Sequence, residues 1–291
     1  MEILNKKILV VGSGGMLGQA LVSKLSGKCE LICAAWPGAS DGQELLDITK
    51  QTSVDKFIKK YSPDIVFNCA AYTNVDGAED DENTAFSVNG IGAGILAHSC
   101  KDNNSLLVHI STDYVFDGDG VGPYAVDDET KAIGAYGRGK LAGEELIKKS
   151  GCEFIIIRTS WLFGSGGKNF VDTIIRIASE KEQIKVVDDQ IGCPTYTVDL
   201  AGCMVDLAEK DCRGIYHFCN GPKCSWFDFA CEIVSQAKLN CEVLPCSSDE
   251  YETKAKRPGY SVLDVSGTVE AIGEMRSWKE CLEEFIEEKG I

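Results

Sequence analysis

The sequence predicts an α/β protein with a doubly wound parallel sheet, followed by a smaller mixed unit. Two observations predict it. Short apolar runs alternate with helix-like stretches over the first half of the chain, and a glycine-rich loop follows the first run directly. The runs KILVVG (7–12), ELICAA (30–35), DIVFNCA (64–70), SLLVHIS (105–111) and EFIIIRTS (153–160) are nearly continuous in apolar residues. Strands buried on both faces read that way, whereas a half-exposed strand alternates. Helical patterns lie between them near 15–26, 52–60, 78–101 and 137–149. A βαβα rhythm implies a parallel sheet with helices on both faces. After residue 165 the rhythm loosens. Helices are expected near 168–181, 198–210, 226–238 and 277–288, with short strands between. The predicted division is therefore 1–165 and 166–291, with the helix near 198–210 returning to the first unit.

Composition narrows the function. The 291 residues fit one large or two small domains. The net charge of −16 excludes general binding to nucleic acid or an anionic membrane, which needs a basic surface. No segment reaches the ~18 apolar residues of a membrane span. The stretch MEILNKKILVVGSGG enters a strand pattern at once and lacks a signal-peptide cleavage pattern, so a cytoplasmic protein is expected. The 14 cysteines are scattered, with no C-x-x-C and no Cys/His cluster at zinc spacing. Many sit in apolar runs, as Cys33 and Cys69 do, and are read as buried free thiols.

Gly12, Gly15 and Gly18 give G-x-x-G-x-x-G immediately after the first strand and at the opening of a helix. Glycine lets backbone approach a pyrophosphate, and a helix N-terminus offers it free N–H groups. In this placement the loop predicts dinucleotide binding. The second strand ends CAAWPGAS. It offers neither an acidic residue for ribose hydroxyls nor a basic one for a 2′-phosphate, so NADH and NADPH both stay open. Asp47 suits contact with the adenine end or capping of the following helix.

The stretch AYGRGKLAGEE (135–145) places Tyr136 and Lys140 one helical turn apart. A nearby ammonium favours a phenolate and lowers a tyrosine pKa, the tuning a general acid needs. Taken alone, the pair also fits a surface tyrosine beside a solvated lysine.

The wider sequence resembles dTDP-4-dehydrorhamnose reductases, in the extended short-chain dehydrogenase/reductase superfamily. The matching segments run in the family's order over nearly the whole chain. They include GSGGMLG, LLDIT, NCAAYTNVDGAE, FSVNGIGAGILA, STDYVFDG, YGRGKLAGEE, RTSWLFGSGGKNFV, VVDDQIGCPTYTVDLA and KAKRPGYSVLD. The resemblance implies a Rossmann-type domain plus a C-terminal substrate domain. It also implies reduction of a dTDP-4-keto-6-deoxy sugar by NADPH or NADH. It carries the catalytic roles to Thr112, Tyr136 and Lys140: Tyr136 as proton donor, Lys140 lowering the tyrosine pKa and holding the nicotinamide ribose, Thr112 bonding the sugar carbonyl. Cofactor positions implied are Gly12, Gly15, Met16, Leu17, Gly18, Asp47, Ile48, Ala70, Ala71 and Tyr72, besides Tyr136 and Lys140. Substrate positions implied are Asp113, Tyr114, Trp161, Asn169, Gln190 and Arg257. Asn68 follows the same lining segment, and Asn89 is expected to brace active-site backbone. For Trp161 ordinary core packing remains open, and for Arg257 a surface salt bridge.

Related dehydratases carry an acidic pair after the threonine; here Asp113 is followed by Tyr114, which favours plain reduction. The chain departs from the family at Val126, Ala132, Gly134 and Gly139, all flanking Tyr136. Some members dimerise through a metal held by a glutamate where this chain has Ala20, so a monomer or a metal-independent homodimer is expected. Other readings are a different nucleotide-sugar reductase or epimerase, and a non-catalytic subunit like the regulatory subunit of methionine adenosyltransferase.

Overall fold

A computed structural model describes residues 3–36 and 43–291; residues 37–40 of the cofactor-selecting segment lie outside the described residues. The first elements are β1 (Lys7–Val11), α1 (Met16–Leu25), β2 (Glu30–Ala35), β3 (Glu44–Leu45), α2 (Gln51–Tyr61) and β4 (Ile65–Asn68). There follow α3 (Val75–Asp80), α4 (Glu82–Phe86), a π-helical turn at Ser87–Gly92, α5 (Ala93–Asn103), β5 (Leu106–Thr112), α6 (Ala135–Ser150) and β6 (Phe154–Thr159). The later chain holds β7 (Leu162–Phe163), α7 (Phe170–Glu180), β8 (Gln183–Val187), β9 (Ile191–Gly192), β10 (Thr195–Tyr196) and α8 (Thr197–Glu209). It closes with β11 (Gly214–His217), β12 (Cys224–Ser225), α9 (Trp226–Gln236), β13 (Glu242–Cys246), α10 (Ser266–Ile272) and α11 (Trp278–Glu288).

Seven strands form one sheet in the order β11-β6-β5-β4-β1-β2-β3. Every pairing in it is parallel. Alternate residues of each strand feed opposite layers, as the strand period requires. Ile8 and Val10 join Leu17, Leu21 and Leu25 of α1 and Leu200, Met204 and Leu207 of α8 in one layer. Leu9 and Val11 join Val54, Phe57 and Ile58 of α2 and Leu96, Ala97 and Cys100 of α5 in the other. Two buried layers explain why the strand sequences show no polar face.

Helix α8, over the stretch expected near 198–210, packs its apolar residues with those of α1 and the sheet. The sequence reading places no further strand with it. The structure adds β11 beside β6 as the sheet's edge, so the later half contributes to the larger unit twice. The single helix expected over 78–101 is instead α3, α4, the π-helical turn and α5. Asp81 marks the first break, its side chain accepting the Thr84 N–H at the start of α4; Asn74 accepts the Gly77 N–H and starts α3 ahead of the expected helix. The remaining chain packs α7, α9 and α11 around an aromatic core that includes Phe163, Phe229, Trp278 and Phe285, beside the short pairs β7–β10, β9–β12 and β8–β13. All fourteen cysteines are free. Among the described residues no helix is long and apolar enough to cross a membrane.

Candidate active site

The strand order reverses at β1, which has β2 on one side and β4 on the other. A crevice at the carboxyl ends is expected at such a point. Its floor is built by close backbone approach. Gly12 adopts a φ of +78°, and a Cβ there would lie 2.6 Å from the Ala70 nitrogen, so only glycine fits. Gly15 is the residue before α1 and has no side-chain cap, which leaves first-turn N–H groups of α1 for a ligand. The cradle thus fits a dinucleotide pyrophosphate, with Met16, Leu17 and Gly18 in that first turn. Tyr72, in the segment after β4, is clamped by Asn89: its N–H donates to Asn89 Oδ1 at 2.8 Å, and Asn89 Nδ2 donates to its carbonyl at 3.0 Å. Asn89 braces backbone as expected, from the π-helical turn.

Thr112 ends β5 at the same edge. Its hydroxyl donates to Asp113 Oδ1 at 2.9 Å and accepts the Tyr114 N–H at 3.2 Å. It also lies close to the Tyr136 phenol, which rises from the first turn of α6. Tyr114 meets the Tyr136 ring edge-on, centroids 5.8 Å apart. The glycine after Tyr136 has a steric reason. A Cβ on Gly137 would lie 2.2 Å from the Tyr114 carbonyl oxygen, so glycine lets α6 press onto the turn that carries Asp113 and Tyr114. Gly134 gives α6 no side-chain cap. Glu79 of α3 supplies one, its Oε1 accepting the Ala135 N–H at 2.7 Å.

Burial and the Asp113 carboxylate push the Tyr136 phenol up to about 12, opposed by the nearby Thr112 hydroxyl. Burial raises Asp113 to about 6, opposed by the nearby Ser261 hydroxyl and the Thr112 hydrogen bond. Its second oxygen, Oδ2, is buried with no hydrogen-bond partner in the protein. Lys140 is 2% exposed, and burial lowers it to about 8. The expectation that Lys140 lowers the Tyr136 pKa is not met. One helical turn does put both residues on one face. Yet β5 lies under that face, and the Ile110 carbonyl takes the Lys140 Nζ.

The remaining expected residues fall in varied settings. Asp47 Oδ1 accepts both the Thr49 N–H and hydroxyl, in a turn before α2, and Ile48 is buried against Gly92. Trp161 stacks on Trp226 with centroids 3.6 Å apart and planes 11° apart. Asn169 caps α7: its Oδ1 accepts the Asp172 N–H, and its Nδ2 donates to Gly164 O and Asp172 Oδ2. Both ends of that amide are engaged within the protein. Gln190 Nε2 donates to Ser248 Oγ at 2.9 Å. Arg257 pairs with Asp76 of α3 at 3.0 Å, the salt-bridge alternative.

Sequence reasoning missed three buried groups behind the site. Glu144, one turn beyond Lys140, is fully buried and receives Arg158 twofold, at 3.0 and 2.8 Å, and the Ser111 hydroxyl at 2.5 Å. His109 and Ser261 are the others. A histidine inside the apolar run LLVHIS was the legible signal for the first; nothing local marks Ser261.

Comparison with known proteins agrees with this geometry. Residues 6–291 match the family model described as the RmlD substrate binding domain. The chain is 41% identical to the spore coat polysaccharide biosynthesis protein SpsK of Bacillus subtilis, over 97% of this chain and 98% of that one. It is 37% identical to the dTDP-4-dehydrorhamnose reductase of Mycolicibacterium smegmatis, covering 98% and 86% of the two. The crystal structure of dTDP-4-dehydrorhamnose reductase from Bacillus anthracis, in complex with NADP, superposes with a TM-score of 0.92 at 38% identity, covering 98% and 100%.

Proposed function

Because the chain belongs to the RmlD substrate binding domain family, we propose that it is an NAD(P)H-dependent reductase of the 4-keto group of dTDP-4-dehydro-L-rhamnose, yielding dTDP-L-rhamnose for cell-surface polysaccharide. The observation that carries this reading is the meeting of Thr112 and Tyr136, from β5 and α6, at the sheet edge that holds the Gly12 cradle. Bound NAD(P)H supplies the hydride. The α1 N-terminus and its glycine loop hold the pyrophosphate. Ala70, Ala71 and Tyr72 line the cofactor's path.

Held at about 12, Tyr136 keeps its proton throughout the neutral range, so it enters the reaction as the acid. It gives that proton to the C4 oxygen as the carbonyl carbon is reduced. Thr112 orients the same oxygen. The free Oδ2 of Asp113 accepts a sugar hydroxyl, and Tyr114 and Trp161 border the sugar. Residues 1–165, with α8 and β11, form the cofactor unit, and the rest of 166–291 forms the substrate unit. The enzyme acts in the cytoplasm as a monomer or a metal-independent homodimer.

The test mixes the protein with dTDP-4-keto-6-deoxy-L-mannose and follows loss of NADPH or NADH absorbance. Turnover is expected to fall about 10²–10⁴-fold in Tyr136→Phe, the range for a lost general acid. Tight nucleotide binding without oxidation of either cofactor would sink the reading and favour another nucleotide sugar or a regulatory subunit.

A further inference from the structure

Lys140 sits against a buried hydrogen-bond chain whose directions can be assigned. The Ala70 peptide N–H can only donate, and it faces an Asn68 side-chain atom at 3.1 Å. That atom is therefore the carbonyl oxygen Oδ1. The other end, Nδ2, can only donate, and it lies 2.9 Å from His109 Nδ1. Nδ1 must then accept. His109 is 1% exposed, and burial, reinforced by the Lys140 charge, drives its pKa well below the usual value, so the ring is neutral. A neutral imidazole that accepts at Nδ1 carries its hydrogen at Nε2. Nε2 lies 3.4 Å from Lys140 Nζ.

The consequence falls on the lysine. Nζ already donates to the Ile110 carbonyl. An uncharged amine can do that and still accept the His109 N–H with its lone pair. An ammonium has only donors, so its charge sets two N–H groups against each other. Reversing the His109 tautomer would move that conflict to Asn68 Nδ2, and flipping Asn68 would move it to the Ala70 N–H.

We propose that His109 is a positioning residue: held as its Nε2–H tautomer by Asn68 and the Ala70 peptide, it hydrogen-bonds the uncharged Lys140 amine and so favours that form of the lysine. The other groups facing Lys140 do not replace it. Glu144 on α6 favours the charged lysine, and so does Cys69 after β4, although burial pushes that thiol up to about 12. Tyr136 stays protonated. The same chain links the charge on Lys140 to the Ala70 backbone, which packs against Gly12 in the nucleotide cradle.

The inference rests on the proposed reductase reading, with Lys140 holding the nicotinamide ribose as the family resemblance implies. Its test needs no turnover, so its failure is separable from that of the assay. In protein labelled with ¹⁵N-histidine and ¹³C-lysine, NMR at about pH 9 is expected to show His109 protonated at Nε2 and bare at Nδ1. In His109→Gln, the Lys140 midpoint is expected to rise by about one pH unit, the worth of one hydrogen bond. A proton on Nδ1 would overturn the proposal, and so would an unmoved or lowered midpoint in the variant. Should the glutamine variant fail to fold, the wild-type tautomer decides alone.

Discussion

Helix α6 carries two buried polar clusters a few turns apart, and they are built on opposite terms. Near its start, Tyr136 and Asp113 share too few partners: Asp113 Oδ2 has none in the protein, and burial raises both pKa values. Further along, Glu144 is fully satisfied by Arg158 and Ser111, and Arg158 also donates to the Val126 carbonyl at 3.1 Å. The first cluster keeps spare hydrogen-bonding capacity where a ligand would arrive. The second closes every bond and fixes the helix against β5 and β6. Unsatisfied polar groups are costly when buried, and they concentrate where function needs them.

Breaking the closed cluster should cost most. Glu144→Ala leaves Arg158 buried without its carboxylate, and a loss of about 3–5 kcal/mol in unfolding free energy is expected from denaturant titration. A cost near that of a surface substitution would show that the clusters do not differ in this way.

The open cluster should show itself in pH dependence. Asp113 is raised from 3.8 to about 6 in the fold. Between those values the native state holds more protons than the unfolded chain, so its contribution is present below about pH 4 and is lost as pH rises through about 6. At ~1.36 kcal/mol per unit this amounts to about 3 kcal/mol. Asp113→Asn should therefore gain on the wild type by about that amount between pH 4 and 7. Parallel stability profiles would remove the premise that Asp113 is strained by burial.

The smallest effect sharpens the comparison at the helix end. Glu79→Ala removes the cap on Ala135 and should cost about 1 kcal/mol. It should also lower kcat, because the first turn of α6 carries Tyr136; a variant equally stable and equally active would make the cap ornamental.

Much of this was legible in the chain. Continuous apolar runs announced the inner strands because both sheet faces are covered. The strand GIYH (214–217) was announced only as one of the short later strands and not as an edge of the main sheet, since four residues carry too little pattern to assign a neighbour. The break in the helix over 78–101 falls at Asp81, a capping residue type inside the polar run EDDENT (79–84). Thr112 and Tyr136, 24 positions apart in the chain, lie close together in the fold. The direction of Lys140 was hidden, because i,i+4 spacing says which residues share a face but not what lies across it. The pairing of Arg257 with Asp76 joins residues 181 positions apart, beyond any local signal.

Trp161 and Trp226, two of the four tryptophans, lie almost parallel at 3.6 Å between ring centroids. At that separation their electronic transitions couple, and the pair absorbs light as one chromophore. Its circular-dichroism couplet depends steeply on distance and angle. One indole follows β6 of the main sheet and the other begins α9 of the aromatic unit. The chain therefore carries a built-in optical gauge of how these two parts are seated, readable without any label.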